Sequence, residues 1–282
     1  MLTPSSWTDY ELLDSGDESK LERWGSHILS RPEPTALWPK QKPELWERTD
    51  LVFIKGEKNT GRWQRKREVP ESWNISYKQL TFKIKPTGFK HTGLFPEQAS
   101  NWDWIAEHLT NSSTVLNLFG YTGGATLAAA LAGAEVTHVD ASEGSIEWAR
   151  ENAALSGLAE KPIRWIADDA LKFVEREGRR GARYDAIIMD PPSYGRGAHG
   201  EVWKLEEKIT PLLRACDKIL SEQPRFVLIN TYTTGFSVAT LENLIRTTFT
   251  KKIASIESTE LGLKGKETLT LPAGTTTRIT FA

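Results

Sequence analysis

The sequence predicts an α/β protein, with a doubly wound, mostly parallel sheet preceded by a small β-rich unit. Three observations predict this. From residue 95 onward, short apolar runs alternate with stretches whose apolar residues recur at helical spacing. Several of those runs end in a glycine turn or an acidic residue, followed at once by a helix start. Before residue 95 the helical period is missing, and short apolar runs are punctuated by Gly, Pro and Asp. Two domains are expected, residues 1–94 and 95–282.

Composition narrows the classes. A chain of 282 residues suits one large α/β domain plus a smaller one. Its single cysteine, Cys216, excludes a disulfide framework and a cysteine-rich zinc site, and points to a reducing compartment. The five histidines lack metal-ligand spacing, so no metal is expected. The N-terminus is polar and no apolar run approaches the ~18–20 residues of a membrane span. The expectation is a cytoplasmic protein without membrane association.

In the first domain, apolar runs start at Tyr10, Leu21, Leu51 and Leu80, and the stretch 21–29 reads as a single run. Pro32, Pro34, Pro39 and Pro43 mark an irregular connection. Residues 55–90 carry ten lysines and arginines against three glutamates, within a chain whose formal net charge is −1. Trp63, Trp73, Tyr77, Phe82 and Phe89 interleave with those bases. Cations with aromatic platforms suit a nucleic-acid surface, contacting phosphates and stacking bases; a solvated hairpin over a small aromatic core gives the same pattern.

The second domain opens with Trp102, Ile105, Ala106 and Leu109 at helical spacing, with Pro96 ahead of them. Residues 114–119 read as a strand that breaks at Gly120-Tyr121-Thr122-Gly123-Gly124, and 125–131 as a helix closed by Gly133. Residues 134–139 form a strand ending at Asp140, and 143–155 a helix. A strand at 163–167 ends in Asp168-Asp169, and a helix at 171–176 stops at Gly178. A strand at 184–189 ends at Asp190-Pro191-Pro192. Residues 202–220 read as a long helix interrupted at Thr210-Pro211, 225–229 as a strand, and 237–249 as a helix capped by Ser237. Strands at 252–261 and 277–281 have no helix between them and are expected to pair antiparallel.

A strand, a glycine turn and a helix bring backbone N–H groups and a helix N-terminus to one point, which attracts a carboxylate or a phosphate. Asp140, twenty residues past Gly120, can accept both hydroxyls of a ribose. The order Gly120-x-x-Gly123-Gly124 breaks the dinucleotide fingerprint G-x-G-x-x-G, and no lysine follows to make a phosphate P-loop. What remains suits S-adenosylmethionine, whose tail is an amino acid. Asn117, Asp140, Asp168-Asp169 and Asp190 fall at the ends of successive strands, along one edge. Asp169, with Ala170 at a helix start, is the candidate acceptor for an adenine amino group. Asp168 is its competitor and can instead cap the helix. The cofactor-binding candidates are Asn117, Phe119, Gly120, Tyr121, Thr122 and Gly123 in the turn, Asp140, Ala141 and Ser142 after it, then Asp169, Ala170 and Asp190.

In Asp190-Pro191-Pro192-Ser193-Tyr194 two prolines remove two backbone donors and leave carbonyls facing outward. A carboxylate and carbonyls accept hydrogen bonds from a planar amino group, and a neighbouring ring can stack a base. Asp190, Pro191, Pro192 and Tyr194 are the candidate catalytic residues. Arg196 and His199, in the following glycine-rich loop, are candidate substrate contacts.

Asn117, Phe119, Tyr121-Thr122-Gly123-Gly124 and Asp190 to Tyr194 resemble the N-x-F-x-Y-T-G-G and D-P-P-[SK]-[FY] signatures of class I S-adenosylmethionine-dependent methyltransferases. The similarity is greatest to the bacterial large-subunit ribosomal RNA methyltransferases. A further signature, G-x-[FY]-x-D-Q-R-x-N-R, is kept at Gly93, Phe95, Gln98 and Asn101, with Glu97, Ala99 and Trp102 as departures. The resemblance covers residues 85–282. It implies a Rossmann-like sheet of seven strands, mostly parallel with an antiparallel last strand, with S-adenosyl-L-methionine as cofactor and ribosomal RNA as partner. It also implies that Phe95 and Gln98 lie against the cofactor from outside the sheet.

Relatives that methylate C5 of cytosine use a cysteine nucleophile. Here residues 230–236 hold no thiol, and Cys216 continues the apolar stripe of Leu205, Ile209, Leu212 and Leu213. The expected acceptor is therefore already nucleophilic, most simply a nucleobase nitrogen. The expectation is a methyltransferase acting on a nucleobase of ribosomal RNA without a cysteine nucleophile. The alternatives are the same enzyme class on a small molecule or protein, and a non-catalytic RNA-binding protein that retains the fold. A nucleotide-dependent oxidoreductase is disfavoured by the missing G-x-G-x-x-G.

Overall fold

The computed structural model describes residues 1–56, 60–196, 200–233 and 236–282, the Arg196 side chain excepted. The chain forms two compact units, one of Met1–Ser100 with Leu261–Ala273, the other of Asn101–Glu260 with Gly274–Ala282. The division between the compact units falls after Ser100, and residues 261–273 join the first unit.

In the first unit, β1 (Tyr10–Gly16), β2 (Ser19–Trp24) and β3 (His27–Pro32) form an antiparallel meander. The run expected from Leu21 to Leu29 is therefore two strands, and Gly25 at φ +64° turns the chain between them. After the short helix α1 (Pro43–Trp46), β4 (Leu51–Lys55) pairs parallel to β3, and β5 (Gly61–Arg65) is the edge strand. β6 (Trp73–Tyr77) and β7 (Leu80–Ile84) make a separate hairpin. A buried polar cluster stands among the apolar side chains. Glu22 accepts from Arg31 Nε at 2.6 Å, Arg31 Nη2 at 2.7 Å and the Tyr10 hydroxyl at 2.8 Å. Burial alone would push the Glu22 carboxyl up; the charges of Arg31 and Lys20 and these hydrogen bonds outweigh it and hold the group at about 2.

Helix α2 (Ala99–His108) leads into the second unit, where strands and helices alternate. They are β8 (Thr114–Leu118), α3 (Gly124–Leu131), β9 (Glu135–Asp140), α4 (Glu143–Leu155), β10 (Ile163–Ala167), α5 (Ala170–Arg179) and β11 (Ala186–Met189). A short hairpin of β12 (Tyr194–Arg196) and β13 (Val202–Lys204) follows, then α6 (Leu205–Ile219), β14 (Phe226–Thr231), α7 (Val238–Thr248), β15 (Ile253–Leu263) and β16 (Leu271–Phe281). The seven-stranded sheet has the order β10-β9-β8-β11-β14-β16-β15. It is parallel from β10 to β14, and β16 runs antiparallel to β14. Hydroxyl pairs Ser255/Thr280 and Ser258/Thr277 cross between β15 and β16. These two strands carry the chain from the second unit into the first and back.

One expectation fails here. Residues 202–204 are strand rather than helix, and α6 runs unbroken through Pro211, without the interruption expected at Thr210-Pro211. The reason is packing. Leu205 and Ile209 before the proline, and Leu212, Leu213 and Cys216 after it, are all buried in one cluster. That burial outweighs the lost backbone hydrogen bond.

Alternate sheet residues serve two layers. Leu116, Leu118, Ile187, Met189, Val227 and Ile229 pack with α5, α6 and α7. Val115, Ala186, Ile188, Phe226 and Leu228 pack with α2 and α3. Among the described residues no helix is long and apolar enough to cross a membrane.

Candidate active site

The chain winds outward in opposite directions from the β8/β11 pair. Such a reversal leaves a crevice outside the carboxyl ends of the strands, where open α/β sheets bind ligands. Register sets Leu118 beside Met189 and Val139, Met189 beside Ile229, and Asp140 beside Ala167. Phe119, Asp140, Asp168, Asp190 and Asn230 therefore stand together along one edge of the sheet.

The turn after β8 is more constrained than its glycines suggest. Phe119 at φ +57° and Tyr121 at φ +48° are left-handed, as is Gly123 at +91°. Such a conformation costs a non-glycine residue about 1–2 kcal/mol and persists only when its surroundings enforce it. Here the Tyr121 N–H donates to Asp140 Oδ2 at 2.8 Å, the Gly120 N–H to the Val139 carbonyl at 3.0 Å, and the Gly123 N–H to the Gly120 carbonyl at 2.9 Å. Gly120 is needed for a different reason: a Cβ there would lie 2.4 Å from His138 Cε1 and 2.5 Å from Nδ1.

Beneath the turn runs a buried polar chain. Asn117 Nδ2 donates to Thr126 Oγ1 at 2.8 Å, and Thr126 Oγ1 lies 2.8 Å from His138 Nδ1. Asn117 is thus engaged in the frame under the turn. Thr126 and His138, absent from the sequence candidates, complete that frame. His138 is fully buried, its Nε2 has no hydrogen-bond partner among the described residues, and burial brings its pKa down to about 3, so the ring is neutral.

Asp140 is half-buried. One carboxylate oxygen takes the Tyr121 N–H and the other the Ser142 N–H, at 2.8 Å each. Burial raises its pKa against the lowering effect of these two donors. Ala141 follows it half-buried, and Ser142 caps α4 by accepting the Ser145 N–H. The helix-capping role open to Asp168 falls to Asp169, whose Oδ1 accepts the Lys172 N–H at 2.9 Å ahead of buried Ala170. Asp168 instead accepts from the Asp169 N–H and from Arg176.

The turn after β11 is held on several sides. The Pro192 carbonyl accepts the Trp203 indole N–H at 2.6 Å, the Ser193 carbonyl accepts the Leu205 N–H at 3.1 Å, and Ser193 Oγ lies 2.6 Å from Thr233 Oγ1. The carbonyls expected to face outward are therefore partly engaged, because β13 and the start of α6 fold back onto them. Pro191 is buried, Asp190 half-buried, and Tyr194 exposed at 53%. Trp203 also packs its ring 4.8 Å from that of Phe119, at 62°. One buried indole thus touches both turns. Sequence reading missed it by placing it in a helix, although exposed Val202, buried Trp203 and exposed Lys204 alternate as a strand does.

Arg196 ends β12, and His199 lies outside the described residues. Phe95 and Gln98 belong to the first unit. Phe95 opens a 3₁₀ turn and packs 5.2 Å from His91, and Gln98 is buried in that turn. Asn101, kept from the third signature, donates to Asn230 at 3.0 Å and Thr276 at 3.1 Å and accepts from Arg278 at 2.9 Å. It is a brace between α2, β14 and β16. Among the described residues no group of three or more His, Cys, Asp or Glu side chains is placed to hold a metal ion.

A switch-point crevice bounded by a strained glycine turn, a carboxylate after the second strand and an Asp-Pro-Pro turn defines a nucleoside-binding α/β enzyme. Comparison with known proteins gives the family. The profile of the S-adenosylmethionine-dependent methyltransferases matches residues 58–222. The crystal structure of a SAM-dependent methyltransferase from Agrobacterium tumefaciens is 40% identical, with a TM-score of 0.94, covering 99% of this chain and 92% of that one. A candidate SAM-dependent methyltransferase from Streptococcus mutans shares the fold at 20% identity and a TM-score of 0.77, covering 98% and 76%. Among curated relatives, the ribosomal RNA large subunit methyltransferase K/L of Shewanella frigidimarina is 32% identical over 151 residues, and that of Shewanella sp. strain ANA-3 is 32% identical over 177. These matches take in 53% and 62% of this chain but only 21% and 25% of the relatives' length. The chain belongs to the S-adenosylmethionine-dependent methyltransferase family; its cofactor is S-adenosyl-L-methionine, and its sheet is the seven-stranded one that the resemblance implied.

Proposed function

We propose that this enzyme methylates a nucleobase of ribosomal RNA, in the cytoplasm, without a cysteine nucleophile. The observation that carries the proposal is the Asp190-Pro191-Pro192-Ser193-Tyr194 turn, leaving the sheet beside the glycine turn with an exposed tyrosine at its end. The names of the curated relatives support the choice of RNA.

The residues fit the cofactor. Left-handed backbone at Phe119, Tyr121 and Gly123 curves the chain into a cradle at the switch point, and the missing Cβ of Gly120 lets that turn settle on the His138 ring. In this reading Phe119 to Gly123 take the amino-acid tail over the frame that Asn117 supports. Asp140, with Ala141 and Ser142, takes the ribose, and Asp169 with Ala170 takes the adenine. Phe95 and Gln98 are proposed as further cofactor contacts, and Arg196 as a substrate contact. S-adenosylmethionine supplies an electrophilic methyl group. This chain supplies alignment: Asp190 and carbonyls of its turn hold the acceptor's N–H so that the nitrogen lone pair points at the methyl carbon. No strong base is needed. Cys216 is fully buried in α6, and burial pushes its thiol well above the ordinary range, which removes a thiolate from the chemistry.

The first unit supplies a surface suited to RNA. Lys55, Arg62 and Lys66 are exposed and make no ion pair among the described residues. Of the five aromatics interleaved with the bases only Phe89 projects, at 58% exposed. Tyr77 and Phe82 are core, and the half-buried Trp63 and Trp73 bond the carbonyls of Thr87 and Trp24. The test is tritiated methyl transfer into ribosomal RNA from cells lacking the protein, followed by nucleoside analysis. Label in a single methylated nucleoside supports the proposal. Label only in protein or small metabolites overturns it.

A further inference from the structure

A fully buried histidine lies under the glycine turn, and the chemistry described above does not use it. His138 stands beside Asn117 in the β8/β9 register, and Thr126, in the first turn of α3, bridges the two side chains. All three residues are buried.

The hydrogen bonds of this chain have one direction. A hydroxyl carries one proton and two lone pairs, and an amide nitrogen only donates. Among the described residues Thr126 Oγ1 bonds Asn117 Nδ2 and His138 Nδ1 alone, at 2.8 Å each. It accepts from Nδ2, so its own proton goes to Nδ1. The neutral imidazole then keeps its single proton on Nε2, which has no hydrogen-bond partner among the described residues. An orphan donor in the interior costs stability, and an apolar side chain would fill the space without that cost. What the imidazole adds is an acceptor at Nδ1 that carries no proton of its own.

That acceptor sets the Asn117 amide. With Nδ2 committed to Thr126, Oδ1 points away from it, and no described residue donates to Oδ1. Were Nδ1 to carry the proton, Thr126 would donate to Asn117, and the amide would turn its NH2 group outward instead. Asn117 precedes the left-handed Phe119 by two residues, under the turn. A carbonyl oxygen held there accepts from a cationic N–H group, and an NH2 group held there repels one.

We propose that His138 is a positioning residue for cofactor binding: through Thr126 it fixes the Asn117 amide with Oδ1 toward the α-ammonium group of S-adenosylmethionine. This rests on the reading that the turn above Asn117 holds the amino-acid tail. It adds two residues, Thr126 and His138, that stand in none of the signatures.

The test has two arms, both on the full chain. Nitrogen NMR of the histidine-labelled wild type, which needs no variant to fold, should show His138 with its proton on Nε2. Calorimetry then compares S-adenosylhomocysteine with its analogue lacking the α-amino group, and wild type should prefer the former about 10- to 100-fold. His138→Leu and Thr126→Val should each cut that preference about 5-fold or more, by weakening S-adenosylhomocysteine alone. Asn117→Asp offers an acceptor at either end, so adding His138→Leu to it should leave the preference within about twofold. A proton on Nδ1, or equal losses for both ligands in His138→Leu, overturns the role of His138 while leaving the reading of the tail intact. A preference undiminished in Asn117→Ala overturns that reading, and the role of His138 falls with it.

Discussion

Replacing Gly120 by Ala tests the turn most directly. Gly120 does not have positive φ, so the backbone itself tolerates alanine. The obstacle is the His138 ring, 2.4 Å from the new methyl carbon, where carbon contacts are normally about 3.5–4.0 Å. That ring has no room to retreat: it is 0% exposed, held at Nδ1 by Thr126, and 4.9 Å from the Trp165 ring. Overpacking of this kind costs about 1–3 kcal/mol, and a contact this short puts Gly120→Ala near 3. Because the displaced backbone bears the strained Phe119 and Tyr121, S-adenosylmethionine affinity should fall by about 100-fold or more. Urea unfolding and calorimetric titration read the two effects. Adding His138→Ala removes the opposing ring, so the double variant should be more stable than the summed single effects by about 1–3 kcal/mol. Strict additivity, or a Gly120→Ala protein as stable as wild type, would show that the ring contact is not what demands glycine.

Four further outcomes are expected. Asp140→Asn leaves one of two backbone donors without its charged acceptor, so the dissociation constant for S-adenosylmethionine should rise about 10- to 100-fold in calorimetry, with little change in RNA affinity. Trp203→Phe keeps a ring against Phe119 but deletes the bond to the Pro192 carbonyl; kcat should drop about 5- to 50-fold in single-turnover assays while cofactor affinity stays near wild type. Acid should destabilise the fold in two stages. His138, about 3 when folded and near 6.5 when unfolded, loses its contribution as pH falls from about 6.5; Glu22, about 2 when folded, loses about 3 kcal/mol from pH 4.5 down to 2. Both folded values lie below the unfolded ones, so both contributions are complete only above the unfolded pKa; urea midpoints that stay flat from pH 7 to 3 contradict this. Cys216→Ala should cost stability through a small cavity yet transfer methyl groups within about threefold of wild type, whereas complete loss of transfer in a folded variant would restore a thiol mechanism.

The sheet was legible because alternating periods are a property of local sequence. Strand ends at Asp140 and Met189 followed from apolar runs that stop at an acid, and the run 114–119 that stops at Gly120 overshot the end of β8 by one residue. The antiparallel pairing of β15 with β16 followed from the lack of a helix between them. What escaped was set by contacts distant in sequence. Trp203 reads as the start of a helix until the Pro192 carbonyl, eleven residues earlier, is seen beneath its indole. Strain at Phe119 and Tyr121 cannot be read from residue types, because both are bulky and the permissive glycines stand beside them. His138 drew notice only as a histidine without metal-ligand spacing, since its partner Thr126 lies on a different element. The pairing of Ser193 with Thr233, and hence the nearness of the loop after β14 to the Asp190 turn, depends on the order of strands in the sheet.

The excursion of β15 and β16 has a consequence for biosynthesis. Residues 261–273 complete the first unit: the Gly262 N–H bonds the Leu2 carbonyl at 2.9 Å, and Lys42 Nζ the Lys266 carbonyl at 3.3 Å. Residues 1–100 must therefore wait for residues 261–273 before their unit closes, and the intervening α/β unit can mature in the meantime. Neither unit is a cassette that gene fusion can lift out whole with a single cut.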